Sequence, residues 1–318
     1  MIFFSLRRAV VVAACASAAL LSACGSSKVE SQVTPARFIA FGDAFADVGQ
    51  SSGSKYTVND GSSNNWVSQL ASTYNKTISP SAAGGLAYGR ANVRVVAKPD
   101  AVGSSSSLTV KEQIDSFLAS NTIANDDIVV VSGGISDIVV EMNALLAGTS
   151  TQAQFIANVQ QAGRDLGAQV RRVVSAGGKH VVAVGPYNMG NSPWAIALGQ
   201  KSVLTDATTK FNEAFLVSIN DLGSSVLYVD AAYYFNLVVG TPSGYAMTNV
   251  VTPVCTSVDT GVGIGIGAGE VNSSQCTTST ILSGATYDAY LFADKLYFTP
   301  NANRLFGTYA HDKLRDRW

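Results

Sequence analysis

Charge is scarce in this chain: Asp, Glu, Lys and Arg make up 14% of its 318 residues, and the formal balance is -1. Its 21 Lys plus Arg form no long run, so the field that a polyanion groove requires is missing and nucleic-acid binding is not expected. Histidine is scarcer, with two in the whole chain, His180 and His311, and neither lies near a cysteine pair. That distribution argues against a metal centre, and no cofactor motif is found. Cysteine is limited to four positions. What is plentiful is apolar material, 47% of the chain, enough for a large core and too much for disorder. No internal repeat and no second composition regime interrupts it, which points to one globular domain.

The amino-terminal stretch reads as an export signal. Arg7 and Arg8 precede an apolar run over residues 9–21, and small residues follow, a layout unlike a membrane-spanning helix. "LSACGSS", residues 21–27, resembles the lipobox of bacterial lipoproteins. The resemblance implies that residues 1–23 are removed, that Cys24 becomes the lipidated membrane anchor, and that residues 24–35 form a flexible tether to a domain spanning 36–318. Gly25 behind the cysteine resembles members sorted to the outer membrane. The alternative is a secreted protein cleaved at a nearby alanine. With Cys15 in the signal and Cys24 at the anchor, Cys255 and Cys276 remain, and in an oxidising compartment they are expected to pair. Closing the Gly- and Ser-rich segment between them contributes on the order of 3 kcal/mol.

Five β-rich runs stand out, at residues 37–41, 91–97, 127–132, 179–184 and 225–230, nearly continuous in apolar character as buried parallel strands require. Helical periodicity is clearest over 152–176, where Phe155, Val159, Ala162, Leu166, Val170 and Val173 recur every three or four residues. Further helices are expected over 65–74, 109–119, 205–222 and 301–315. Alternating strands and helices predict an α/β protein, a three-layer α/β/α sandwich around a mainly parallel, flavodoxin-like five-stranded sheet, with the loops at the carboxyl ends of the strands forming any site.

Four blocks lie in such loops. The first is "FGDAFADVG", residues 41–49; the second "GGLAYGRA", 84–91; the third "GGISD", 133–137; the fourth "FADKLYFTPNANRLFG", 292–307. Together they resemble the GDSL, or SGNH, family of esterases and lipases, over nearly all of residues 37–318. The resemblance implies that Gly42, Asp43, Asp47 and Gly49 occupy the first block, that Gly89 corresponds to a glycine whose N–H helps bind the oxyanion, and that Asp294 corresponds to the acid that orients the base. It also implies three replacements: Ala44 at the nucleophilic serine, Ser136 at an asparagine oxyanion donor, and Tyr297 at the histidine base.

Acyl transfer by this design requires a hydroxyl, a base titrating near neutral pH and donors for the developing oxyanion. A methyl group at Ala44 attacks nothing, and a phenol such as Tyr297 titrates near 10 and is a poor base at neutral pH, with Asp294 raising it further. Neither histidine is expected to substitute: His180 opens a strand at the opposite end of the sheet, and His311 is read as solvent-facing on the last helix. Ser136, next to Asp137, is read as a turn former. Asp43 and Asp47 are expected to accept backbone N–H groups, and Asp294 the Tyr297 hydroxyl. Trp66 and Trp194 flank the expected mouth, where they either stack on a ligand or join the core.

These readings predict a surface lipoprotein that binds an ester, glycan or lipid-like ligand as a pseudoenzyme. An ester hydrolase acting through non-standard residues, and a structural envelope protein, are the alternatives.

Overall fold

The structure, a computed structural model, describes residues 33–318. Cys24 and the expected signal lie outside the described residues. Within them the expected apolar runs become β1 (Phe38–Phe41), β2 (Ile128–Ser132), β3 (His180–Val184) and β4 (Val226–Tyr228). They form one parallel sheet in the order β1-β2-β3-β4, with Phe41 opposite Val131, Val129 opposite Val181, and Val181 opposite Val226. Every residue of β1 and β2 is buried, as a sheet covered on both faces requires. At its amino end the sheet is tied by a two-pronged ion pair in which Arg37 donates to both oxygens of the buried Asp127.

The helices in chain order are α1 (Trp66–Thr73), α2 (Val110–Leu118), α3 (Ile135–Leu146), α4 (Gln152–Ser175), α5 (Pro193–Leu198), α6 (Lys201–Ile219), α7 (Ala231–Gly240) and α8 (Pro300–Arg317). Local chemistry sets their starts: α2 and α4 open with reciprocal capping boxes, Thr109 with Glu112 and Thr151 with Gln154. Prolines at the first positions of α5 and α8 need no hydrogen-bond partner there. Helices cover both faces of the sheet, because successive strand residues point opposite ways. Thus Phe38 meets Tyr74, just past α1, while Phe41 meets Phe117 of α2. On one side α4 lies along α6; on the other α1 lies along α8.

Both helix pairs approach closely through glycine. A Cβ at Gly163 in α4 would stand 2.3 Å from the Phe211 carbonyl oxygen, and one at Gly307 in α8 would stand 2.7 Å from the Trp66 carbonyl oxygen.

The fifth expected strand is absent. Residues 91–97 follow an irregular path although Val93 and Val95 are buried. The Ala91 and Val95 N–H groups donate to the Asp47 and Asp137 carboxylates, so neither is available to a sheet ladder. The free side of β1 is met instead by residues 86–88, through a single parallel bridge between Ala40 and Ala87. Helices α3, α5 and α7 were not expected; α7, "AAYYFNLVVG", is apolar nearly all round and shows no clear period.

A second sheet pairs β5 (Asn249–Pro253) with β6 (Tyr290–Phe292), also in parallel. Just beyond these strands, the Val254 and Cys255 N–H groups donate to the Phe292 and Ala293 carbonyls. The Cys255–Cys276 disulfide is formed, with 5.9 Å between the α-carbons, and its sulfurs pack in a small apolar cluster with Val58, Val254 and Ala293.

Gly163→Ala is expected to lower folding stability by about 2 kcal/mol, since the added methyl forces α4 from α6. Gly240→Ala, where a Cβ meets open space, should stay within about 0.5 kcal/mol. Urea denaturation of both variants measures the difference.

Candidate functional site

The four sequence blocks converge at the carboxyl ends of β1 and β2. Gly42 leaves β1 held between the two ends of the Gln113 amide, which accepts from its N–H and donates to its carbonyl, each at 2.9 Å. No larger residue fits, because a Cβ at Gly42 would lie 2.5 Å from the Ser132 hydroxyl. Asp43 then caps the short 3-10 turn Ala44–Ala46 by accepting the Phe45 N–H at 3.1 Å. Its second oxygen accepts the Ile135 N–H at 3.1 Å, at the start of α3. The second block joins through the Arg90 N–H, which donates to the Gly42 carbonyl at 3.0 Å. Gly89 is packed so tightly that a Cβ would stand 2.7 Å from the Ala46 carbonyl oxygen.

Each carboxylate of these blocks is engaged with protein donors. Asp47 accepts from the Gly49 and Gln50 N–H groups, both at 2.8 Å, and from Ala91 at 3.1 Å. Asp137 accepts from the Val95 N–H at 3.0 Å and from the Arg94 guanidinium at 3.2 Å. Asp294 accepts from the Leu296 and Tyr297 N–H groups at 2.8 and 2.7 Å, and from the Ser273 hydroxyl and N–H at its other oxygen. The expected bond from the Tyr297 hydroxyl to Asp294 is therefore replaced by a turn closed through the Tyr297 backbone. Sequence reasoning missed Ser273, because nothing in the Gly- and Ser-rich disulfide loop distinguishes it from its neighbours.

Ala44 and Tyr297 are each 2% exposed. The Tyr297 ring packs edge-on against Tyr56, 5.3 Å between centroids. Burial drives its phenol pKa well above 10, and the Asp43 and Asp294 charges raise it further. Proton abstraction by Tyr297 is thus closed at neutral pH. Ser136 is buried, and its hydroxyl has no hydrogen-bond partner and no base to activate it. The Lys55 amine, within the influence of Asp60 and Asp47, donates to the Asn64 side-chain oxygen at 2.7 Å.

The histidines are elsewhere. His180 starts β3 at the amino end of the sheet, edge-on to Trp318 at 4.9 Å. His311 does not face solvent as expected: it is half-buried against Tyr74, with ring centroids 5.1 Å apart. Trp66 and Trp194 are both core residues, Trp66 wedged between Phe45 and Phe306, so neither forms a stacking platform at a mouth. Among the described residues, none of four cavities is lined by Asp43, Ala44, Ser136, Asp294 or Tyr297.

No family model matches the chain, and no curated protein matches it. One solved crystal structure is similar at a TM-score of 0.45 and 14% identity, over 89% of this chain and 97% of the other. A second is similar at 0.43 and 11%, over 89% of this chain and 98% of its own.

Asp43 and Asp294 are wholly buried without a cationic partner, and burial pushes both carboxyls up to about 6 despite the donors around them. A carboxyl raised in the folded state binds its proton more tightly there than in the unfolded chain, so folding is favoured as pH falls through 6 towards 4. Lowering pH from 7.5 to 5 should therefore increase stability by about 1 kcal/mol for each of the two groups. The urea midpoint should rise over that interval, and Asp294→Asn should flatten the rise.

Proposed function

We propose that the chain is an exported, lipid-anchored relative of the GDSL, or SGNH, hydrolases in which the ester-cleaving machinery has become structural. The observation that carries this reading is the burial of Ala44 and Tyr297 at the positions where that family holds its nucleophile and base, with His180 packed on Trp318 and His311 on Tyr74. Acyl transfer fails at each step: no hydroxyl stands at residue 44, the phenol at 297 is held protonated, and Asp294 spends its oxygens on Ser273 and its own turn. The fold agrees with the resemblance in coarse terms. In a flavodoxin-like sheet a strand lies on the outer side of β1, and here the Ala40–Ala87 bridge occupies that place, which supports a sheet whose fifth strand has shrunk to one residue pair.

The Tyr297 ring is buried and packs against Tyr56, so an ester, glycan or lipid meets no exposed group at that position.

Wild-type protein is expected to show no labelling by a fluorophosphonate and no turnover of p-nitrophenyl esters above background, and Ala44→Ser with Tyr297→His should gain neither, because residue 44 is buried and Asp294 is committed to Ser273 and its own turn. Stoichiometric labelling of the wild type would overturn the reading. For the anchor, Cys24→Ser should move the protein from the membrane to the soluble fraction on cell fractionation.

A further inference from the structure

Beyond the loss of hydrolysis, we infer that the cavity between α6 and the carboxyl ends of β3 and β4 binds a neutral saccharide. Its volume is about 300 Å³, at the small end for a ligand site. Asn188, past β3, and Tyr228 and Asp230, at the end of β4, form one side; Thr205, Asn212 and Leu216 of α6 form the other, and Asn236 of α7 stands at the rim.

The polar groups are held in place and leave capacity unspent. The Asn188 and Asn191 amides both donate to the Asn236 side-chain oxygen, at 3.1 and 2.8 Å, which fixes the Asn236 amide with its Nδ2 free to donate. Asn188 is itself fixed, accepting from the Gly190 N–H and the Thr205 hydroxyl, each at 3.1 Å. Asp230 uses one oxygen to cap α7, accepting the Tyr233 N–H at 2.9 Å, and makes no ion pair, so its other oxygen is free to accept. The Asn212 amide is turned towards the end of β3 and donates to the Pro186 carbonyl at 2.9 Å. Beside these stand apolar surfaces, the half-buried Tyr228 ring, braced edge-on by Phe215 at 5.9 Å, and Leu216, 45% exposed.

The ligand class follows from this mixture. A hydrocarbon would strip water from the amides and the carboxylate without replacing their hydrogen bonds. An anion would meet Asp230 and find no Lys or Arg in the lining, since Lys210 is taken by Glu213. A saccharide presents hydroxyls that both donate and accept, together with a C–H face that covers an aromatic ring.

The test is saturation-transfer NMR with millimolar methyl glucoside, methyl galactoside, methyl mannoside, N-acetylglucosamine and its β-1,4 dimer. Wild-type protein should transfer saturation to at least one of them. Asp230→Asn with Asn236→Ala should reduce the effect at least about fivefold, because two hydrogen bonds to the sugar are lost. Asn still caps α7 and residue 236 is exposed, so the variant should keep the wild-type circular dichroism and melting midpoint. Absence of transfer to every sugar, or undiminished transfer with the folded double variant, would overturn the inference. Ester turnover by the wild type would refute the loss of hydrolysis and leave this site standing.

Discussion

Buried carboxylates that accept backbone N–H groups hold this molecule's loops together. Asp43 joins the turn after β1 to the start of α3, Asp47 joins that turn to residue 91, Asp137 joins α3 to residue 95, and Asp294 joins the segment after β6 to the disulfide loop. Hydrogen bonds to a charged acceptor are stronger than neutral ones, and in a site closed to water they are strongly directional. With the loops tied in this way, the helices that follow them start where the carboxylates allow.

The arrangement has an electrostatic cost that shapes the chemistry. Asp137 is neutralised by Arg94, which also reaches Glu141. Burial raises the Asp137 carboxyl even so; Asp43 and Asp294, with no such cation, are raised by burial to about 6, and the Tyr297 phenol sits within the influence of both. Three groups that would each lose solvation on ionising are packed into one region, so the favoured state of the phenol is neutral. An imidazole in the same place would be drawn towards its charged form by the same two carboxylates. A phenol in that place supplies neither a proton acceptor at neutral pH nor a cation that these charges would favour.

The disulfide contributes beyond closing a loop. It packs with Val58 and Ala293, and the loop it closes carries Ser273 to Asp294. A segment rich in glycine and serine has little hydrophobic material with which to hold itself in place, and the covalent link together with the Asp294 carboxylate supplies the missing constraint.

The strands at 38–41, 128–132, 180–184 and 226–228 were legible because buried parallel strands need continuous apolar runs, a local property. Helix starts with capping boxes were legible for the same reason. Two histidines left few candidates for an imidazole beside Ala44, and where each of them lies was decided by the fold. Residues 91–97 have strand-like composition, yet their path is decided by Asp47 and Asp137, and only the folded chain brings those acceptors to them. Likewise the partner of Asp294, the packing of Tyr56 on Tyr297 and the amide-lined cavity depend on atoms brought together from distant segments, as Asp43 and Ile135 are across 92 positions. Side-chain identity and local periodicity are written along the chain; which donor meets which acceptor is a property of three-dimensional closure.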